Sequence, residues 1–598
     1  MILKALYDYY NRCDGLPKFG MEAKEIGFII VLSREGKFLR IENLVENGNG
    51  KTFFVKKSPS NKTSQAIADY FYGTCDYLFG VKSKKDQKEE RLKKTFKEFK
   101  SLINKAYSDN PNSVELAALN AFYSQDIQDI QSQVKSDPIW PIIEKKPLKK
   151  ISFRINGDLE IIAEKQELLN LNDSSLQTAD SKNKVICLMT GNRCIPTLVG
   201  TPINSIGGTN PKLISFQKDS GYDSYGKEQG ENAPISKEAE FAYSTALKHL
   251  LDRDSRNRFS LSTATFVFWG SSDSEATKVT EEAFLMFIDD KKGTDPNANI
   301  ESVQKVFNAI FSGLLKTSLT DRFYILGLKI STPGRISVCY WHETSLKDFA
   351  QKILQHFSDM EIIGIPNDYK SYMGQMDMLA NTAYGNDKKN IIPNLPDKGI
   401  HHRLEHNGND KKNIIPNLPE AVVKSIFQGL PYPQTLFSAC IRRIRAGQSV
   451  NRPRAAIIKA YLNRQKNNNK KIEVMLDKNN TNQGYLCGRL FAVLDKIQEE
   501  AKKINSIRER YMNAASATPS AVFTTILNLS VHHLESLPNE GRKVFFEKLK
   551  QEIIDKISAD GFPAHLDLQD QGRFFVGYYH QRQDFFTKSN EESNEENK

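Results

Sequence analysis

The chain has 598 residues, 83 Lys+Arg against 72 Asp+Glu and a net charge of +11. Its 39% hydrophobic and 26% charged content is that of a globular protein with room for several cores, about four domains by length. Seven scattered cysteines make no disulfide framework, no run of 18 apolar residues is present and MILKALYDYYNRCDG is too polar for a signal peptide, so a cytosolic protein with no membrane segment is expected.

In chain order, Phe28–Leu32 and Thr52–Val55 read as strands, with the turn-forming run Asn47-Gly48-Asn49-Gly50 between them. Lys82–Lys105 reads as a basic helix, with ten Lys/Arg against four acids and an apolar stripe of Leu92, Phe96, Phe99 and Ile103. Such a helix is either a solvated helix with one buried face or a contact for backbone phosphates. Residues 201–234 form a long Gly/Ser/Asn-rich loop with interleaved Phe216, Tyr222, Tyr225 and Gln229, which favours function over disorder. Ala264–Trp269 and Arg335–Trp341 read as buried strands. Between them, Glu301–Leu315 reads as an amphipathic helix with Val303, Val306, Phe307, Ile310 and Leu314 on one face.

GNDKKNIIPNLP occurs at Gly385–Pro396 and again at Gly408–Pro419, a local duplication in a surface loop. From about Pro419 the chain reads as helical. Leu486, Leu490, Leu494, Ile497, Ala501 and Ile504 form one stripe, and Phe546, Leu549, Ile553 and Ile557 another. Thr518-Pro519 looks like an N-cap and first helical position. The expected fold class is α+β, with mixed N-terminal and middle regions followed by an all-α C-terminal bundle. The expected segments are an N-terminal α+β domain (1–150), a middle α+β domain with the Gly-rich loop (151–384), the duplicated loop (385–419), a basic helical segment (420–474), the bundle (475–590) and a disordered tail (591–598).

Catalytic signatures are weak. Gly50-Lys51-Thr52 lacks the upstream glycine of a Walker A motif, and a strand-like FFVKK follows where a helix is needed. Cys187 and Cys194 are spaced more widely than a zinc knuckle, and buried or inert thiols are expected. His532-His533 point about 100° apart on a helix, and His401, His402 and His406 have no nearby Cys. No HExxH, GxSxG or two-metal carboxylate cluster is seen. No catalytic residue, metal or cofactor is expected.

The strongest feature is basic. From Arg442 to Lys471 there are ten Lys/Arg and no acid. On a helix from Thr435 to Ala446, Leu436, Phe437, Cys440, Ile441 and Ile444 can face a core. Arg442, Arg443 and Arg445 then project largely outward, and Gly447 ends the helix. Arg452 and Arg454 flank a proline in the next connection, and Lys459 and Arg464 continue the charge. An uncompensated basic surface calls for a polyanion, nucleic acid above all. The other reading is that some of these arginines pair with acids elsewhere in the fold.

Several segments carry a family resemblance: CLMTG at Cys187–Gly191, SYGKEQGENAPIS at Ser224–Ser236, the stretch Ala246–Trp269 ending in TFVFW, RFYILGL at Arg322–Leu328, GLPYPQTLFSACIRRIRAG at Gly429–Gly447, RAAIIKAYLNR at Arg454–Arg464, GYLCGRLFAVLDKIQEEA at Gly484–Ala501 and YMNAASATPSAVF at Tyr511–Phe523. Through nearly its whole length the chain resembles the large subunit of the type I-C CRISPR interference complex (Cascade), the Csd family. The resemblance implies a non-catalytic subunit of a complex that carries a CRISPR RNA. It implies recognition of a protospacer-adjacent motif (PAM) in double-stranded DNA and help in opening the strands, while guide pairing reads the sequence. The implied partners are the Cascade backbone subunits, the guide-processing subunit and a separate helicase-nuclease that cuts. It also implies small subunits made from an internal start; Met475 would give 124 residues (598 − 475 + 1).

The chain departs from the family where an Asp-Asn pair often precedes a Tyr and a Gly; here Gly73-Thr74 precede Tyr77 and Gly80. The PAM-reading candidates are therefore Lys56, Lys57, Asn61 and Lys62, from the polar, basic turn KKSPSNK. Gln229 and Asn232 are candidates for guide-RNA or DNA contact. Two alternatives stay open, a nuclease with an unrecognised active site and a scaffold that binds RNA alone.

Overall fold

The computed structural model describes residues 2–56, 67–83, 88–165, 184–219, 221, 225–261, 263–288, 298–364, 375–383, 415, 417–465, 471–504 and 506–595. Lys57, Asn61, Lys62, Tyr222, His401, His402, His406 and nearly all of the duplicated loop lie outside them. The fold is α+β, and the chain forms two compact units. The N-terminal unit comprises Tyr9–Thr201 and Ser215–Ala246, and the C-terminal unit comprises Met1–Asp8, Pro202–Ile214 and Leu247–Lys598. No helix among the described residues is long and apolar enough to cross a membrane.

After α1 (Ile2–Arg12), the N-terminal unit is built on β1 (Met21–Leu32). After buried Met21, residues 22–25 of β1 alternate between half-buried and open positions, and from Ile26 the strand is buried on both faces. That change follows from its neighbours. β3 (Lys51–Lys56) pairs antiparallel with residues 21–26, and β2 (Phe38–Asn43) with residues 28–32. Asn47 and Gly48, with φ of 49° and 89°, make the tight turn before β3. β2 was not legible as a strand, because FLRIEN is mostly open and charged. Gly50-Lys51-Thr52 enters β3, so no helix N-terminus is available there to hold phosphate.

Along its other edge β1 pairs in parallel with β5 (Lys150–Ile155), which also takes the short β4 (Tyr72–Gly73). A parallel pair needs a long crossover. Helices α2 (Cys75–Leu78), α3 (Glu89–Asp109), α4 (Val114–Ser124), α5 (Ile127–Lys135) and α6 (Trp140–Lys145) lie in it. Leu92, Phe99 and Ile103 of α3 are buried as expected, and Phe96 is half-buried. Lys150, the last residue expected in the first domain, is the first of β5, whose pairing keeps it in this sheet. A two-residue hairpin, β6 (Val185–Ile186) with β7 (Arg193–Cys194), precedes α7 (Lys237–Leu250).

The C-terminal unit begins with an antiparallel sheet in the order β11-β10-β9-β8: β8 (Arg258–Leu261), β9 (Ala264–Gly270), β10 (Arg322–Thr332) and β11 (Arg335–Ser345). Phe266, Phe268, Phe323 and Ile325 are buried together with α8 (Glu275–Ile288), α9 (Ala298–Ser312) and α10 (Leu346–Met360). Phe284 meets Phe268 edge-on at 4.7 Å, and Phe323 stacks on Phe349 at 4.6 Å. Leu314, expected on the α9 stripe, is instead exposed, because Gly313 takes a φ of 83° and ends the helix.

The remaining helices are α11 (Gln375–Ala380), α12 (Leu418–Phe427), α13 (Gln434–Gly447), α14 (Arg452–Asn463), α15 (Gln483–Lys502), α16 (Ser506–Ala515), α17 (Pro519–Glu535), α18 (Glu540–Ile554) and α19 (Leu568–Glu595). α15 is buried all round from Gly484 to Leu494, the mark of a central helix. A Cβ at Gly488 would lie 1.9 Å from the Phe574 carbonyl oxygen, so glycine lets α15 and α19 touch backbone to backbone. Lys503 takes the left-handed conformation and ends α15, which leaves Ile504 exposed rather than on the stripe. Thr518 does precede α17, but its hydroxyl donates back to the Ala514 carbonyl instead of capping. The tail expected from 591 stays helical to Glu595, since extending an anchored helix costs little. One apolar core runs from Phe259 to Tyr579, so residues 420–474 and 475–590 share it.

Candidate nucleic-acid interface

The arginine-rich segment forms two helices. α13 buries Leu436, Phe437, Cys440, Ile441 and Ile444. Its left-handed end residue is Gln448, one beyond the expected Gly447; the Gln448 amide donates to the Glu509 carbonyl and holds that turn. Arg442 is exposed, whereas Arg443 and Arg445 are half-buried. Arg445 donates to the Gln571 side chain at 2.8 Å, and burial pulls its pKa down.

α14 differs from its expectation more sharply. Asn451 caps it, Pro453 lies in its first turn, and Arg452 and Arg454 are therefore helical rather than in a connection. Arg452 donates to the Ile362 carbonyl, and Arg454 to the carbonyls of Asn381 and Ser449. Every residue from Arg454 to Leu462 is buried. The Lys459 ammonium, in a residue 3% exposed, donates to the Asp359 carbonyl at 3.1 Å; burial lowers its pKa, with Asp359, Glu361 and Glu473 opposing.

Arg464, just past the helix, has a side chain only 6% exposed. Its Nε sits 2.6 Å from the Asp359 carboxylate, and its Nη1 donates to the Ser425 and Leu430 carbonyls, both at 2.6 Å. Its guanidinium stacks 4.2 Å above the Tyr432 ring. Burial raises the Asp359 pKa, against the pull of Arg464. Arg452, Arg454, Lys459 and Arg464 are thus bound into the fold, and the exposed cations of the segment among the described residues are Arg442 and Lys471.

Lys56 ends β3, where it is buried with its ammonium 4.4 Å above the Tyr70 ring. Lys57, Asn61 and Lys62 follow it, outside the described residues. Gln229 and Asn232 share a 3₁₀ turn in which Gln229 has a φ of 46° and its carbonyl accepts from the Asn232 amide at 3.0 Å. The Glu228–Glu231 capping box fixes this turn. Gly230 donates to the Leu198 carbonyl, and a Cβ there would lie 1.9 Å from the Thr197 oxygen. The Gly-rich loop is thereby seated on the Thr197–Leu198 segment that follows β7. Cys187 is buried, as expected. Burial pushes its thiol up, yet hydrogen bonds from Thr190, Ser236 and Met189 outweigh it and bring the pKa to about 7.

The basic helix read as either solvated or a phosphate contact is α3, and it carries an open cationic ridge. Arg91, Lys93, Lys94, Lys97 and Lys105 are all exposed and make no ion pair among the described residues. The signal was present in the stripe: these residues lie off the positions of Leu92, Phe99 and Ile103, so burying the stripe turns them outward. His532 is exposed 3.8 Å from Glu535, and among the described residues no group of three His, Cys, Asp or Glu is placed to hold a metal.

A family model described as CRISPR-associated protein (Cas_Csd1) matches residues 6–586. The chain belongs to this family. It is therefore the large-subunit type of a type I-C Cascade, and the resemblance read from its motifs holds over almost the entire length. Family membership implies assembly with other CRISPR-associated subunits and a CRISPR RNA. No curated protein matches the chain.

Proposed function

We propose that this chain is the non-catalytic large subunit of an RNA-guided surveillance complex that recognises the PAM in double-stranded DNA, helps unwind it and stabilises the resulting R-loop. In this reading it also helps recruit a separate helicase-nuclease, and a start at Met475 supplies small subunits. The observation that carries the nucleic-acid part is the α3 ridge, where five cations stand open to solvent on a helix anchored by a buried stripe. Phosphate contact is what such a ridge does best, since it gives affinity without base preference. Arg442 adds a second outward cation site on α13. Base reading falls to the turn after Lys56, where Lys57, Asn61 and Lys62 combine donors with short reach.

The test is duplex capture by the assembled complex. Replacing Lys57, Asn61 and Lys62 together should change which PAM is accepted while leaving guide loading intact. A variant with unchanged PAM preference would move the reader elsewhere. DNA cleavage by the purified chain with Mg²⁺ alone would overturn the non-catalytic assignment. A Met475→Leu gene that still yields both polypeptides would remove the internal start from the proposal.

A further inference from the structure

A cleft of about 370 Å³ opens in the C-terminal unit between the end of α10 and the end of α14. Its lining includes Gln355, Ser358, Asp359, Lys459, Arg464 and Lys471, with Glu473 beside them. That volume is at the small end of ligand pockets (~300–1,000 Å³) and many times the roughly 30 Å³ of one water. The lining is polar, yet two of its cations belong to buried residues.

Of these two, Lys459 is incompletely matched. Lys459 has three N–H donors, and among the described residues its one hydrogen bond is to the Asp359 carbonyl. Arg464 Nη2 is fully buried 2.6 Å from Asp359 Oδ2, so its charge is met by that carboxylate. A buried donor without an acceptor is costly, which favours a ligand rich in acceptor oxygens. Three cations (Lys459, Arg464, Lys471) face two carboxylates (Asp359, Glu473), a net of +1 (3 − 2), and Asp359 is already engaged by Arg464. Tyr432 stacked on Arg464 and the two carbonyls bound to Nη1 hold this floor rigid.

Resting on the nucleic-acid-binding reading above, we propose that this cleft binds a single nucleotide unit of a strand. The phosphate oxygens take the spare donors of Lys459 and the exposed Lys471 at the rim, and Glu473 accepts from the base. The cleft then fixes one position of a strand by its phosphate, with the wall at Asn463 locked by its own pair of bonds to Ile472.

Titration calorimetry of the full chain with AMP, adenosine and inorganic phosphate at low salt tests this. AMP should bind, and adenosine should bind at least about tenfold more weakly, the effect of losing a charge-assisted contact. A 5′-phosphorylated dinucleotide should compete with AMP; failure to compete would overturn assignment to a strand. Lys459→Met and Lys471→Ala should each weaken AMP about tenfold, and Lys471→Ala does so at an exposed position that leaves the fold intact. An absence of AMP binding, or binding that both variants leave unchanged, would show a cleft filled by solvent only. If the assembled complex still captures duplex DNA in that case, the cleft assignment fails and the proposed function stands. If AMP binds but the complex captures no duplex, the failure is the reverse.

Discussion

α3 and the α13–α14 segment are both dense in positive charge, and they use it in opposite ways. On α3 the cations lie off a single buried stripe, so they stand in water. On α14 the helix is buried from Arg454 to Leu462, so its cations have to find acceptors inside the protein. Among the described residues they find backbone carbonyls (Ile362, Asn381, Ser449, Asp359, Ser425 and Leu430) and the Asp359 carboxylate. Absence of nearby acids in the sequence is therefore a poor sign of an open surface. An arginine matched to carbonyls needs no acid beside it, and the acid it does use can lie 105 residues away.

The most drastic way to break this comparison is to remove the arginine helices. α14 and α13 cover α19, where Gly572 lies against Phe437 and Ile458, and Arg445 binds Gln571. A 475–598 fragment uncovers that apolar face. It should self-associate in size-exclusion light scattering, whereas 418–598 should run as a monomer; a monomeric, cooperatively melting 475–598 would show that the bundle needs neither helix. Next in size is Arg464→Ala, which leaves Asp359 buried without its partner and should cost about 3–5 kcal/mol in denaturant unfolding. A loss below about 1 kcal/mol would mean that the pair is more solvated than its burial indicates.

The interior also responds to acid, because buried His580 accepts from the Tyr485 hydroxyl through Nδ1 and, among the described residues, has no partner at Nε2. Burial, with Lys459 nearby, pushes its pKa from the usual 6.5 down to about 3. Between those values the unfolded chain binds a proton that the folded chain refuses. Stability is thus complete above about pH 6.5 and falls toward pH 3, by about 1.4 kcal/mol per unit at most. His580→Gln should flatten the part of the pH–stability curve between about 6.5 and 4; an unchanged slope would assign it wholly to carboxylates.

Where apolar spacing carried the signal, the fold was legible: β1, β9, β11, the stripe of α3 and the buried face of α13 follow directly from it. Legibility failed where a single residue ends a helix. Gly313 and Lys503 both turn left-handed, and Leu314 and Ile504, correct in period, fall just beyond them. It failed differently at Asn451-Arg452-Pro453, where a proline read as a connection is the first-turn proline of a capped helix. The fate of Arg464 was not legible by any local rule, since its partners come from α10, α12 and the connection before α13.

The smallest effect on stability should come from the ridge itself, which makes it the cleanest test of the contrast. Lys93, Lys94, Lys97 and Lys105 are exposed, so replacing all four with Ala should leave the unfolding midpoint nearly unchanged. Binding should respond instead. If the ridge neutralises phosphates, the slope of log affinity against log salt for duplex capture should shallow by up to about 0.9 for each phosphate that is no longer neutralised, equally for every target sequence. Arg442→Ala, a single outward cation, should shift the slope by no more than about 0.9. A slope left intact by the fourfold change but lost on replacing Arg442 would return the interface to α13. A fourfold variant that melts early would show that these lysines, like the arginines of α14, are held by the fold.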